Sequence, residues 1–252
     1  MIASPPLAAT PIPILSDNYA WLLREPESGL FAIVDPADAA PVITAIEAAI
    51  REHGGELALI LLTHHHGDHV AGTDEVRGHF GAPVVGAKAD AHRLPKLDRA
   101  VAEGSEVDFG AATARVWETP GHTRGHVSYV FAQGEEGVLL CGDTLFSLGC
   151  GRLLEGTAQE MFTSLQRFAA LPPATLVCCG HEYTESNARF ARHADPENLD
   201  LLAYEQQVLA WRAAGKPSLP SRLADELACN PFLRAPDTAT LADLRTRKDN
   251  FR

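Results

Sequence analysis

The sequence has no long apolar run. Nowhere in its 252 residues is there a stretch approaching the roughly 20 apolar residues that a membrane helix needs. The opening MIASPPLAATPIPIL has no basic leader and is broken by prolines, so no secretory signal is expected. Cysteine is sparse and odd in number: Cys141, Cys150, Cys178, Cys179 and Cys229 have no CxxC spacing. That argues against a disulfide framework and for a reducing compartment. Positive charge is also short, with 21 Lys+Arg against 33 Asp+Glu and a net charge of −12. Nucleic acid, whose affinity rests mainly on phosphate contacts, is therefore not an expected partner. Internal repeats and low-complexity tracts are lacking too. What is left is an ordinary globular composition, 46% hydrophobic and 21% charged, enough for a real core. The expectation is a cytoplasmic protein without membrane contact, and nothing demands more than a monomer.

The acidic excess is uneven. Residues 1–182 carry 11 Lys+Arg against 23 Asp+Glu, whereas residues 183–252 carry 10 of each. An anionic substrate would be repelled by the first part and would need local positive charge from the second.

Short apolar runs predict strands at 30–35, 58–63, 82–87, 114–119, 126–132, 138–143 and 175–181, separated by turn residues such as Gly54-Gly55, Gly104 and Gly134. Helical patterns occupy 36–55 and 156–171. The second has Met161, Phe162, Leu165, Phe168 and Ala169 at the spacing of one buried face. Strands in groups with helices outside them suggest stacked sheets flanked by helices. From 183 to 228 nothing looks like a strand, and 184–193, 197–214 and 221–228 read as helices, with breaks at Asp195-Pro196 and Gly215-Lys216-Pro217. The expected division is a larger sheet-containing domain at 1–175 and a small helical domain at 176–252, with His181 at the boundary.

Residues 63–72 read THHHGDHVAG. They follow the apolar stretch Leu59–Leu62, at the C-terminal end of a strand, where α/β folds put their ligands. If strand alternation persists into the turn, His64, His66 and Asp68 project one way and His65 the other. HxHxDH then offers two clusters, His64 with His66 and Asp68 with His69. Three more strand ends carry polar residues beside small neighbours: Pro120-Gly121-His122-Thr123, Gly142-Asp143-Thr144 and Gly180-His181-Glu182. A lone histidine is more often structural than a ligand. Four strand ends, each delivering His or Asp, point to a metal site. Imidazole and carboxylate suit zinc, iron or manganese, and the absence of thiolate ligands argues against a closed structural zinc cage.

HxHxDH followed by GHT, GDT and CGHE resembles the metallo-β-lactamase superfamily. The longer strings THHHGDH, PGHTRGH, CGDTLFSLGCGR, EGT and CGHEYT, with NPFLR at 230–234 and LRTRKDNF at 244–251, resemble its glyoxalase II (hydroxyacylglutathione hydrolase) family over nearly the whole chain. The resemblance implies an α+β fold, an αββα sandwich with a metal site along one edge and a small C-terminal helical domain. It implies two divalent ions, with zinc expected and iron or manganese as alternatives. His64, His66 and His122 would hold one ion; Asp68, His69 and His181 would hold the other; Asp143 would bridge them. Asp68 and Asp143 are the expected catalytic carboxylates.

The implied reaction is attack of a bridging hydroxide on a glutathione thioester, chiefly S-D-lactoylglutathione, releasing D-lactate and glutathione in methylglyoxal degradation. The thiol leaving group, with a pKa near 8.5, departs without a strong general acid, and the sequence shows no Ser-His-Asp or Cys-His pattern. The implied glutathione contacts are Arg152, Tyr183, Asn187, Arg245 and Lys248. Arg245 and Lys248 are three apart, so a helix would put them on one face. Two positions depart from the family: Leu154 stands where an aromatic is expected, and Gly67 is smaller than usual.

Other readings fit less well. A one-iron persulfide dioxygenase of the same superfamily would not need Asp68, His69 and His181 together. A lactamase would be exported. A flavin-linked diiron domain carries a carboxylate where this chain has His66. A non-catalytic glutathione-conjugate binder would have little use for a complete ligand set. His65 is expected to pack or support rather than ligate, and His126 to give a supporting hydrogen bond. His53, His79, His92 and His193 read as surface residues, and Cys178, Cys179, Trp117 and Trp211 as packing residues.

Overall fold

The computed structural model describes residues 7–133 and 136–251; the turn expected at Gly134 and the first six residues lie outside them. In chain order the elements are β1 (Ala8–Ile14), β2 (Asn18–Arg24), β3 (Phe31–Val34), α1 (Ala39–His53), β4 (Leu57–Leu61), α2 (Gly67–Val70), α3 (Thr73–Phe80), β5 (Val84–Ala87), β6 (Arg99–Val101), β7 (Glu106–Phe109) and β8 (Ala112–Glu118). They continue with β9 (Val127–Gln133), β10 (Glu136–Gly142), β11 (Leu145–Phe146), β12 (Gly149–Cys150), α4 (Ala158–Ala169), β13 (Leu176–Cys179), α5 (Thr184–Ala194), α6 (Leu199–Ala213), β14 (Ser221–Arg222), α7 (Leu223–Cys229) and α8 (Thr238–Asp249).

Two six-stranded sheets result, ordered β1-β2-β3-β4-β5-β6 and β14-β13-β10-β9-β8-β7. In the first, β1 to β3 are antiparallel and β3 to β6 parallel. Parallel neighbours need a crossover, and α1 supplies one between β3 and β4. In the second, β7 to β10 form an antiparallel meander, and α4 carries the chain to β13, parallel to β10. β3, FAIV, is buried along its whole length, as expected of a strand covered on both faces. β8 instead buries Ala112, Ala114 and Val116 and exposes Thr113 and Arg115 between them. Helices cover the outer faces, giving the αββα sandwich.

Helix α4 shows how one such face is held. Met161, Leu165 and Phe168 are fully buried, while Phe162 and Ala169 are partly so. Phe168 stacks on Trp117 at 6.3 Å between ring centroids. The helix starts with a capping box in which Thr157 accepts from Glu160 N and Glu160 accepts from Thr157 N. After β13 the chain is mainly helical, with a small cluster of its own around Leu201, Tyr204, Val208 and Ala191 that also takes in Leu148.

The expected helices are found within two or three residues of their expected bounds, but the strand inventory needs correcting. β1, β2, β6, β7, β11 and β12 lie outside the strands expected from the sequence. Pro11 and Pro13 disguise β1, which tolerates them because it is an edge strand. The region after residue 183 does contain a strand: Ser221 and Arg222 pair with Val177 and Leu176, so the helix expected from 221 begins at Leu223. No helix among the described residues is long and apolar enough to cross a membrane.

Candidate metal centre

The site lies where the strand ends meet. After β4 the chain breaks into a loop at His64–His66 and then the one-turn helix α2, whose first residues carry Asp68 and His69. His122 follows β8, Asp143 follows β10 and His181 follows β13. All but His66 and Asp68 of these seven are buried.

Their nitrogen and oxygen atoms converge. His66 Nδ1 lies 3.0 Å from His64 Nε2 and 3.1 Å from His122 Nε2. On the other side, Asp68 Oδ2 is 3.5 Å from His181 Nε2 and 3.9 Å from His69 Nε2. Asp143 stands between the groups, with Oδ2 3.5 Å from His122 Nε2 and 3.3 Å from His181 Nε2, and Oδ1 3.3 Å from His69 Nε2. Among the described residues three groups have ligand atoms close enough to hold a cation: His64/His66/His122, Asp68/His69/His181, and Asp35/His64/His69, which lies on the far side of the His64 and His69 rings.

The far sides of the rings show which nitrogens are free to ligate. Asp35 Oδ2 accepts from Thr63 Oγ1 at 2.6 Å, which leaves the Thr63 oxygen to accept from His64 Nδ1 at 3.1 Å. His69 Nδ1 donates to Asp35 at 2.9 Å, His181 Nδ1 to Asp17 at 2.8 Å and His122 Nδ1 to the Arg152 carbonyl at 2.9 Å. Each bond fixes a tautomer with its Nε2 lone pair turned into the site, the usual arrangement behind a metal-ligating histidine.

Two buried atoms, His69 Nε2 and Asp143 Oδ1, have no hydrogen-bond partner, a costly state that a cation between them would relieve. The titration behaviour agrees. Burial pushes His64 well below its ordinary pKa. Burial would also lower His69, but the Asp143 and Asp35 carboxylates hold it well above the usual value. Burial would raise Asp143, yet His69 and His181 hold it well below the carboxylate range. The cluster calls for positive charge at its centre, and neutral imidazoles with ionised carboxylates fit a divalent ion. Gly180 leaves room for it: a Cβ there would fall on Asp143 Oδ1 and His69 Cε1.

His65 turns away, 3.1 Å from Asp90 and 3.6 Å from Glu155. His126 accepts from Asp143 N at 3.2 Å, a supporting contact of the kind expected. His53, His79, His92 and His193 are exposed. Three supporting residues were not anticipated: Asp17, Asn18 and Asp35. Asn18 Nδ2 donates to Asp68 O at 3.0 Å and to Asp68 Oδ2 at 3.1 Å. Asp17 ends the β1–β2 turn and Asn18 begins β2, and this stretch pairs through its backbone with residues 180–182. Only Asp35 left a signal, a carboxylate ending an apolar strand.

A cavity of ≈ 540 Å³ opens on His122 and Asp143, and Arg152, Tyr183, Asn187, Arg245 and Lys248 all line it. Tyr183 stacks on His181 at 4.5 Å and 10°. Arg152 is exposed, 3.8 Å from Asp249. Lys248 is half-buried, its Nζ 3.2 Å from Ser186 O. Arg245 and Asn187 are already engaged. Arg245 donates through Nη1 to Cys150 O at 2.8 Å and through Nε and Nη2 to Asp249; Asn187 Nδ2 donates to Ser147 O at 3.0 Å. Leu154 is 59% exposed.

Residues 15–181 match the family model of the metallo-beta-lactamase superfamily, the class of protein that this sandwich and this His/Asp cluster define. Residues 182–251 match the model described as the hydroxyacylglutathione hydrolase C-terminus. The hydroxyacylglutathione hydrolase of Acidiphilium cryptum is 55% identical over 96% of each chain. The crystal structure of ETHE1 from Myxococcus xanthus superposes with a TM-score of 0.69 at 23% identity, covering 96% of this chain and 90% of that one. TTHA1623 in a di-iron-bound form gives a TM-score of 0.56 at 29% identity, over 68% of this chain and 91% of its own. The chain belongs to the hydroxyacylglutathione hydrolase family of that superfamily.

Proposed function

We propose that the protein hydrolyses glutathione thioesters, chiefly S-D-lactoylglutathione, to D-lactate and glutathione, the second step of methylglyoxal detoxification. The observation that carries this reading is the continuity of the two sites: His122 and Asp143 belong both to the His/Asp cluster and to the cation-lined cavity. His64, His66 and His122 would hold one ion, Asp68, His69 and His181 the second, and Asp143 both. Zinc is the proposed metal, since the donors are imidazole and carboxylate, with iron or manganese the alternatives. Two such ions, when bound, supply an activated water and Lewis-acid polarisation of the thioester carbonyl.

The chain's own residues do the rest. Glutathione carries two carboxylates and one amine, and Arg152 and Lys248 present cations to it while Tyr183 and Phe146 give the wall an aromatic face. Lys248 and Arg245 come from the charge-balanced part of the chain and put local positive charge where the first part is acidic. Asp68 and Asp143 stay ionised beside the histidines. Cys150 lines the cavity, but burial pushes its thiol up to about 11, so at neutral pH it is no thiolate nucleophile. The leaving thiolate needs no general acid.

Residues 176–252 are proposed as the glutathione-binding domain, and the protein as a cytoplasmic monomer; the five cysteines are all free and buried. The convergence of Asp68, His69 and His181 supports two ions over one. The reading is tested by comparing D-lactoyl thioesters of glutathione and of N-acetylcysteamine. A kcat/KM higher by a factor of a hundred or more for the glutathione ester supports it; equal values remove glutathione from the account.

A further inference from the structure

The hairpin β11–β12, Leu145–Cys150, forms one wall of the cavity through Phe146 and Cys150, and its Cys150 carbonyl accepts from Arg245. Its turn is unfavourable by itself. Leu148 has φ +58, a left-handed conformation that a branched side chain rarely adopts. Such a conformation persists only where surroundings over-determine it, and here they do. The Leu148 side chain is fully buried in the helical cluster with Ala188, Leu201 and Tyr204. Its N–H donates to Glu226 Oε2 at 2.8 Å. Asn230 Nδ2 lies 3.1 Å from both the Phe146 and Gly149 carbonyls and 3.0 Å from Glu226 Oε2. Its Oδ1 accepts from Phe232 N at 3.0 Å, and the Phe232 ring in turn lies 5.3 Å from the Arg245 guanidinium carbon.

Glu226 and Asn230 are fully buried, touch none of the metal-cluster residues and do not line the cavity. We propose that Glu226 and Asn230 are positioning residues for substrate binding: they clamp the 145–150 hairpin so that Phe146, Cys150 and, through the Cys150 carbonyl, Arg245 keep the cavity in its binding shape. The proposal rests on the thioesterase reading for its kinetic arm only. Burial holds the Glu226 carboxyl above its usual range, and its Oε2 accepts from both Leu148 N and Asn230 Nδ2; the clamp uses Glu226 as an acceptor.

The test uses the full-length enzyme and the variants Asn230→Asp, Glu226→Ala and Glu226→Gln. KM, kcat and metal content are measured on the same samples, with amide hydrogen exchange across 145–150. Asn230→Asp keeps the Oδ1 acceptor and turns the donor toward two carbonyls into a third acceptor. Asn230→Asp and Glu226→Ala are expected to raise KM about tenfold, the scale of one or two lost buried hydrogen bonds, with kcat within about twofold and metal content unchanged. The Leu148 amide should exchange faster in both, and Glu226→Gln should restore the wild-type KM. If Asn230→Asp does not fold, Asn230→Ser, which withdraws the amide donor from both carbonyls and with it the Oδ1 acceptor of Phe232 N, is read the same way. Unchanged KM and exchange, or a KM that rises only as metal is lost, overturns the proposal. Wild-type enzyme that leaves S-D-lactoylglutathione intact defeats the thioesterase reading alone, and hairpin exchange then still decides the clamp.

Discussion

Lys248 gives the most quantitative prediction. Burial takes its ammonium down to about 8, and the neighbouring Arg245, Arg189 and Arg152 push the same way. The sign follows directly: below about pH 8 the side chain is a cation, and above it the cation is lost. If a carboxylate of glutathione binds the charged form only, the competent fraction falls from roughly nine-tenths at pH 7 to roughly one-tenth at pH 9. KM for S-D-lactoylglutathione should then rise about tenfold over that interval, while kcat, set at the metal cluster, changes much less. The amine of the substrate titrates in the same window, so the informative comparison is with Lys248→Arg, whose guanidinium stays charged throughout. The assay is initial-rate hydrolysis followed by thioester absorbance, corrected for spontaneous hydrolysis. A wild-type KM as flat as that of Lys248→Arg between pH 7 and pH 9 would refute the reasoning.

Three further outcomes follow from the geometry. Asp17→Asn removes the carboxylate behind His181 and should weaken the second metal by roughly tenfold to a hundredfold, read by competition with a chromophoric chelator. Gly180→Ala drives a methyl onto Asp143 and His69, so purified protein should carry well under half the wild-type metal while its circular dichroism stays native. Chelation should lower the melting temperature by several degrees, because ions that bind only the folded site stabilise it and their removal leaves His69 Nε2 and Asp143 Oδ1 buried and unpaired; an unchanged Tm would contradict this.

The sequence made the ligands visible for a local reason. Each follows an apolar run that reads as a strand, and in HxHxDH four of them fall within six residues, so one register argument orients the set. β3, β4, β5 and β9 were legible because they are short and nearly all apolar. β1 was not, since its prolines break the pattern at an edge that does not need their N–H groups. The supporting carboxylates were hidden for another reason. Asp35 acts on His69 34 residues away and Asp17 on His181 164 residues away, and no local spacing encodes either contact. Arg245 was legible as a helix-face cation but not as a buried one, because its partners Cys150 and Asp249 are defined only once α8 docks.

The central claim is that two ions share Asp143 at the mouth of a glutathione-binding cavity. Its most direct test is stoichiometric titration of the metal-free enzyme with zinc, with bound metal and S-D-lactoylglutathione turnover followed together. Saturation at two ions per chain is expected and, for Asp68→Ala, saturation at one. Saturation of the wild-type enzyme at a single ion, with Asp68→Ala binding the same amount, would contradict it.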